Sequence, residues 1–421
     1  MPAPGAEQGI QVMTRKRRVL FLAEPATLAH VVRPLVLATA LDLNQYDVTF
    51  ATGSDFRDLT ADAGIKSRPL WSIGSKAYLA AVSAGRPVFP YRVLQRYVAE
   101  DLRHIAEIKP DLVVGDFRLS LAVSARLAQV PYLAISNAYW SPHTQVRFEV
   151  PVHFVTRLIG AKTTNSLFRL LRPLIFAQHS LPMHRLRRQH NMPSLGFDLR
   201  RIFTEADVTL FADVPELVPT DDCGIPDRYI YIGPITWSPE APLPDALINA
   251  SDPRPLVYVN MGSSGDPVVL RDIVAACASV DCRLAVATGR GGPVPGASAS
   301  MVSAPFLPGR ELASRAALVI CNGGSPSTHQ ALQQGTPVLG IPANLDQLLN
   351  MQFIVNSGSG VSLRADCLSA EKIKGIVRRM LSEPSFRTGA ARVASWFAHY
   401  SASERFSTVV DTHLERESKR I

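Results

Sequence analysis

No apolar stretch in this chain reaches the roughly 20 residues that a helix needs to cross a bilayer, and no two of its cysteines form a C-x-x-C pair. The five cysteines, Cys223, Cys277, Cys282, Cys321 and Cys367, are odd in number and scattered. That argues against a disulfide framework and a structural zinc site, and for a reducing, cytoplasmic compartment. The first strand–helix turn, Ala23-Glu-Pro-Ala-Thr-Leu-Ala-His30, contains no glycine. A dinucleotide-dependent dehydrogenase needs G-x-G-x-x-G at that turn, so the sequence speaks against that class. Low-complexity segments and short repeats are also missing.

What is present suits a packed globular protein. Of the 421 residues, 47% are hydrophobic and 19% charged, and that length predicts two domains. The net charge of +8 is local. Residues 151–201 carry nine Lys/Arg (Arg157, Lys162, Arg169, Arg172, Arg185, Arg187, Arg188, Arg200, Arg201) against one acid, Asp198. Near the N-terminus, Thr14-Arg-Lys-Arg-Arg18 before Val19-Leu-Phe-Leu-Ala23 imitates a secretion signal. The apolar run stops at Glu24-Pro25, which predicts a short buried strand instead.

From there short apolar strands alternate with helices. Strands are expected at Val19–Ala23, Val48–Ala51, Asp111–Gly115 and Pro131–Ser136, with helices over His30–Leu43 and Leu119–Ala128. Such alternation predicts crossover units and a parallel sheet. Between Val152 and Asn191 the period is helical, but Pro173, Pro182 and Pro193 predict a break into two or three pieces. Strands at Val208–Ala212 and Tyr229–Ile232 close this lobe. Residues 234–254 hold five prolines and read as the connection between lobes. The second lobe repeats the pattern with strands at Leu256–Asn260, Arg283–Ala287, Met301–Pro305, Ala317–Cys321 and Val338–Ile341. Helices follow over Asp346–Asn356, Ser369–Leu381 and the stretch from Ser385. The expected division is a leader at 1–16, a first Rossmann-like domain at 17–235, a linker at 236–254 and a second such domain at 255–395. A C-terminal helix at 396–421 is expected to pack back on the first domain.

Glycines mark two turns of the second lobe. Strand Leu256–Asn260 runs into Met261-Gly262-Ser263, and strand Leu318–Cys321 into Asn322-Gly323-Gly324-Ser325-Pro326-Ser327. Both turns lie at the carboxyl edge of a parallel sheet, where ligands bind. Glycine lets a ligand approach the backbone, and N–H groups at a helix start attract phosphate. Two such turns on one edge suit a diphosphate, although either alone is equally a tight turn.

The stretch Cys321-Asn-Gly-Gly-Ser-Pro-Ser-Thr-His-Gln-Ala-Leu-Gln-Gln-Gly-Thr-Pro-Val-Leu-Gly-Ile-Pro-Ala-Asn-Leu-Asp-Gln347 resembles the donor signature of the family 1 glycosyltransferases. The resemblance continues in Pro255-Leu-Val-Tyr-Val-Asn-Met-Gly-Ser263, in Ala304-Pro-Phe-Leu-Pro308 and, more weakly, in Pro25-Ala-Thr-Leu-Ala-His30-Val-Val-Arg-Pro34. It implies an α/β protein of two Rossmann-like lobes facing a central cleft (the GT-B fold), with acceptor on the first lobe and donor on the second. The implied reaction is inverting and metal-independent, with a UDP- or dTDP-sugar as co-substrate and no other cofactor. The chain contains no D-x-D pair.

The resemblance places the catalytic base at His30, a residue type that titrates near neutral pH, and its partner acid at Asp116. It places the diphosphate at Gly262, Ser263, Gly323, Gly324 and Ser327, the base-stacking aromatic at Phe306, and the pair holding the sugar hydroxyls at Asp346 and Gln347. At three signature positions the chain departs from the family: Asn322 stands for a histidine, Pro326 for an asparagine and Gln330 for the ribose-binding glutamate. Gly309 also replaces a frequent glutamine. A carboxylate restored at 330 is expected to tighten nucleotide binding, since ionised acceptors bond more strongly. These departures keep open a non-catalytic or partner-activated homologue, and a nucleotide-sugar 2-epimerase shares the two-lobed fold. The basic segment 151–201 interleaves its cations with Phe154, Leu158, Leu167, Phe168, Leu171, Leu174, Ile175 and Phe176, and reads as a lid over a small or lipid-like acceptor or as a contact with an anionic membrane. No nucleic-acid motif is found.

Overall fold

The computed structural model describes residues 15–248, 252–262, 265–289 and 301–418. The first sheet contains β1 (Arg17–Ala23), β2 (Tyr46–Thr52), β3 (Lys66–Pro69), β4 (Leu112–Asp116), β5 (Tyr132–Ser136), β6 (Val208–Phe211) and β7 (Tyr229–Tyr231). Its order is β3-β2-β1-β4-β5-β6-β7 and every pairing is parallel. The second sheet contains β8 (Leu256–Asn260), β9 (Arg283–Ala287), β10 (Met301–Ala304), β11 (Leu318–Cys321), β12 (Val338–Gly340) and β13 (Gly360–Ser362), in the order β10-β9-β8-β11-β12-β13. Each is a doubly wound sheet with its switch point beside the first strand, so each offers a ligand crevice at its carboxyl edge. The molecule is α/β with two Rossmann-like lobes.

The unbroken apolar run of β1 follows from burial on both faces. Val19, Phe21 and Ala23 share one core cluster with Leu35, Phe406 and Val410, whereas Leu20 and Leu22 share another with Ile105 and Leu121. A strand alternates its side chains, so a strand covered on both sides needs apolar residues throughout. Phe406 belongs to the last helix, Ala402–Ser418, and its ring centroid lies 6.0 Å from that of Phe21.

Several expectations are corrected. The first helix is Ala29–Thr39, shorter than the pattern to Leu43. The chain from Pro384 forms two helices, Pro384–Phe397 and Ala402–Ser418. Strands β3 and β13 and the helix Ser75–Ser83 carry no periodicity that singled them out, whereas the helix Tyr91–Ile108, also not anticipated, is plainly amphipathic, with Leu94, Tyr97, Val98 and Ile105 on its buried face. The largest correction concerns the prolines. Ala161–Gln189 is one continuous helix with Pro173 and Pro182 inside it, preceded by the short helix Phe154–Ile159. An internal proline costs about 3 kcal/mol. Against that, Phe168, Phe176, Met183 and Leu186 are buried from this helix, and each such side chain contributes roughly 1.5–3 kcal/mol. Tertiary packing outweighs the local preference.

Candidate active site

Four strand ends of the first lobe deliver side chains to one place. His30 lies in the first turn of helix Ala29–Thr39, just beyond β1, and Asp116 is the last residue of β4. Asn137 follows β5 and Asp213 lies just beyond β6. His30 Nδ1 is 2.8 Å from Asp116 Oδ1. Arg33, one helical turn on, donates through Nε to Asp116 Oδ2 at 2.8 Å, through Nη2 to Oδ1 at 2.7 Å and through Nη1 to Asn137 Oδ1 at 2.7 Å.

Burial pushes the Asp116 carboxyl up, but the Arg33 guanidinium and then His30 outweigh it and hold it below the ordinary carboxylate range. An ionised carboxylate only accepts, so Nδ1 of His30 donates to it, and in the neutral imidazole the lone pair is then on Nε2. The imidazole lies flat on Phe117, ring centroids 4.8 Å apart and planes within 11°. Phe117 holds this place from the left-handed region, at φ 55°. A non-glycine residue keeps that costly conformation only where its surroundings fix it. Beside this site, fully buried Arg118 donates to Glu24 Oε2 at 3.1 Å and to Asp101 Oδ1 at 2.9 Å, tying the ends of β1 and β4 to the neighbouring helix.

The second lobe contributes main chain. Gly262 follows β8 at φ 67°, and Gly323 follows β11 at φ 82°, both in the region glycine favours. A Cβ on Gly323 would stand 2.8 Å from Met351 Cγ, and one on Gly262 would stand 3.1 Å from Asn322 Nδ2. The two turns are therefore neighbours, with Asn322 between them. Asn322 Oδ1 accepts from Gly324 N at 3.0 Å and shapes the turn into helix Ser325–Gln333, whose first turn carries half-buried Ser327. Ser263 lies outside the described residues.

The lobes meet through polar groups. Ser325 Oγ donates to Asn137 Oδ1 at 3.3 Å, which links the second glycine turn to the Arg33–Asp116 cluster. Asp346, near the start of helix Leu345–Asn356, accepts on Oδ1 from Trp140 Nε1 at 2.8 Å and from Tyr139 Oη at 3.1 Å. Asp213 Oδ2 accepts from Ala138 N at 2.6 Å and Asn137 Nδ2 at 3.0 Å. Its Oδ1 lies 3.5 Å from His329 Nε2, and neither of those two atoms makes a hydrogen bond within the described residues. Burial raises Asp213 to about 6. Burial and then the Arg33 charge lower His329 to about 3.

The remaining predicted residues are placed as follows. Gln347 Oε1 accepts from Ala343 N at 2.9 Å and Asn344 N at 3.3 Å, so its amide oxygen caps its own helix. Phe306 is 55% exposed, open for a planar ring to stack. Gln330 is buried and donates from Nε2 to Trp237 O at 2.8 Å, while a Cβ at Gly309 would stand 2.5 Å from Gln330 Oε1. Two of the departures are thus one feature, because Gly309 makes room for the amide of Gln330. A glutamate at 330 could not donate to Trp237 O, so restoring the carboxylate would break that bond, contrary to the simple expectation of tighter binding. Sequence reasoning missed Arg33, Phe117, Asn137, Tyr139, Trp140, Asp213 and His329. Asn137 and Asp213, like Asp116, are polar residues at or just past a strand's carboxyl end, where ligands of such sheets bind, a signal that could have found them.

Residues 272–406 match the family model described as Erythromycin biosynthesis protein CIII-like, C-terminal domain. A PGL/p-HBAD biosynthesis glycosyltransferase of Mycobacterium tuberculosis is 44% identical over 385 residues, 91% of this chain and 90% of that one. A PGL/p-HBAD biosynthesis rhamnosyltransferase of Mycobacterium bovis is 43% identical over 394 residues, 94% of this chain and 87% of the other. The chain belongs to the family 1 glycosyltransferases. Among solved structures, the glycosyltransferase of kitacinnamycin superposes with a TM-score of 0.70 at 17% identity, over 95% of this chain and all of that one, which shows the shared GT-B fold. This family 1 member is a glycosyltransferase, and the epimerase alternative falls away.

Proposed function

We propose that this glycosyltransferase moves a sugar from a nucleotide diphosphate donor on the second lobe to a hydroxyl of a glycolipid precursor on the first, inverting the anomeric carbon without a metal. The observation that carries the reading is the 2.8 Å contact of His30 with Asp116, joined through Asn137 to the glycine turn at Gly323 and Gly324. In this scheme His30 Nε2 takes the proton of the acceptor hydroxyl as its oxygen forms the new bond to the anomeric carbon. The bond from that carbon to the donor phosphate breaks, and the diphosphate leaves with the electron pair. Backbone N–H groups at the start of helix Ser325–Gln333 take the charge that develops there. Asp346 takes the sugar hydroxyls, framed by Trp140 and Tyr139.

The relatives' part in PGL/p-HBAD biosynthesis, one of them as a rhamnosyltransferase, supports a deoxysugar donor and a lipid-like acceptor.

Replacing His30 with alanine tests the scheme. Turnover should fall by about 10²–10⁴, while calorimetry finds donor binding unchanged, because the base sits on the acceptor lobe. Turnover within threefold of wild type would remove His30 from the reaction.

A further inference from the structure

The long helix Ala161–Gln189 has two apolar faces, and only one is covered. Phe168, Phe176, Met183 and Leu186 are in the core. On the opposite side Leu167, Leu170, Leu174 and Leu181 stand at helical spacing and are all exposed, Leu170 at 75% and Leu174 at 69%. The short helix before it adds Phe154 and Leu158, the latter 78% exposed. Exposed leucines scattered singly over a surface mean little, but a continuous apolar stripe marks a contact surface.

The charge around the stripe says what kind. Residues 151–197 contain seven Lys/Arg (Arg157, Lys162, Arg169, Arg172, Arg185, Arg187, Arg188) and no Asp or Glu. Arg187 is buried and Arg172 packs over the Phe148 ring at 4.6 Å, so the surplus counted from sequence is smaller at the surface. Arg157, Lys162, Arg169, Arg185 and Arg188 remain exposed. A second copy of the chain on this face would set these cations against their own counterparts, which opposes self-association. An anionic bilayer presents the complementary pattern, negative at the rim and apolar beneath. None of the described helices is long and apolar enough to cross a membrane, so the contact lies along its surface.

We propose that the outward face of helices Phe154–Ile159 and Ala161–Gln189 docks the enzyme on an anionic membrane surface. The segment leading into this face is fastened to the second lobe beside the site. Val152 N donates to Ala343 O at 2.7 Å, Thr156 Oγ1 to Asp366 Oδ2 at 2.6 Å and Arg364 Nη1 to Val150 O at 2.8 Å. Ala343 immediately precedes Asn344, the cap of the helix that carries Asp346. Docking therefore brings the bilayer next to the cleft. Delivery of a lipid acceptor from the bilayer rests on the transfer reading, whereas docking itself does not.

Co-sedimentation of the full chain with vesicles tests docking without any sugar chemistry. Vesicles of equimolar phosphatidylglycerol and phosphatidylcholine should bind at least about tenfold better than pure phosphatidylcholine, and high salt should remove most of the difference. The pair Leu170→Glu with Leu174→Glu should lower binding to anionic vesicles by about tenfold or more. Both side chains are exposed, so the melting temperature should hold. Leu158→Glu, on the separate short helix, provides an independent variant with the same expected direction. Equal binding to the two vesicle types, or both leucine variants binding like wild type, overturns the proposal. So does a wild-type dimer that Leu170→Glu with Leu174→Glu dissociates, since a second copy would then cover the stripe.

Discussion

The first-lobe half of the site is made of side chains, and the second-lobe half is made of main chain. His30, Arg33, Asp116 and Asn137 hold one another by charge-assisted bonds of 2.7–2.8 Å in a buried setting. Gly262 and Gly323 contribute backbone conformation and the absence of a Cβ. The difference suits the two tasks proposed for them. A base must be aimed and kept in one tautomer, which needs a carboxylate and something to hold that carboxylate. A diphosphate needs several N–H groups close together, which only a bare backbone can provide. The two halves should therefore fail differently when altered.

The largest effect is expected at Arg33. Arg33→Met removes the cation that keeps Asp116 ionised in the interior, and breaking a buried pair typically costs about 3–5 kcal/mol. Thermal unfolding should show that loss. The Asp116–His30 pair would then be left to hold its charges in the interior unaided, so the pH–rate profile should move. An unchanged melting temperature and profile would show that the guanidinium is dispensable and that the side-chain half is looser than described.

An intermediate effect is expected between the lobes. Burial raises Asp213 to about 6, so the cost of ionising it in the folded state is absent below its unfolded value near 3.8 and complete above about 6. His329 is lowered to about 3, so its contribution is present above its ordinary 6.5 and is lost as pH falls toward 3. The two slopes oppose each other between about pH 4 and 6. Asp213→Asn removes the first, and the amide oxygen can still accept from Ala138 N. Each tenfold change in proton affinity between the folded and unfolded chain corresponds to about 1.4 kcal/mol. The stability of the variant relative to wild type should thus rise by a few kcal/mol as pH climbs from 4 to 6, measured by unfolding across that range. A flat difference would mean that Asp213 shares its proton with His329 and that the lobes are tied by an ion pair.

The smallest effect is expected in the main-chain half. Gly323→Ala forces a side chain into the left-handed region, at about 1–2 kcal/mol, and pushes on Met351. Affinity for the bare nucleotide diphosphate should fall roughly 5- to 30-fold, the equivalent of that energy, with the pH–rate profile unmoved. Undiminished affinity by calorimetry would take the diphosphate away from this turn.

The alternation of short apolar strands and helices, the glycines after β8 and β11, and His30 just past the first strand were legible as sequence because each is a local pattern. A strand buried on both faces must be apolar throughout, and a turn that admits a phosphate must lack side chains, whatever the rest of the chain does. Other features depend on partners distant in sequence. Arg33 reads as a cation on a helix until the sheet order puts β4 beside β1 and brings Asp116 under it. That Gln347 caps its own helix cannot be read until its oxygen is found on the backbone at Ala343 and Asn344. Pro173 and Pro182 read as helix breakers until the core takes up the side chains around them. Asp213 and His329 come from different lobes and share no local pattern at all. Local patterning determined the two lobes and most of their strands. Only long-range packing decided which buried charges meet, because burial and pairing belong to the neighbours that the fold assembles.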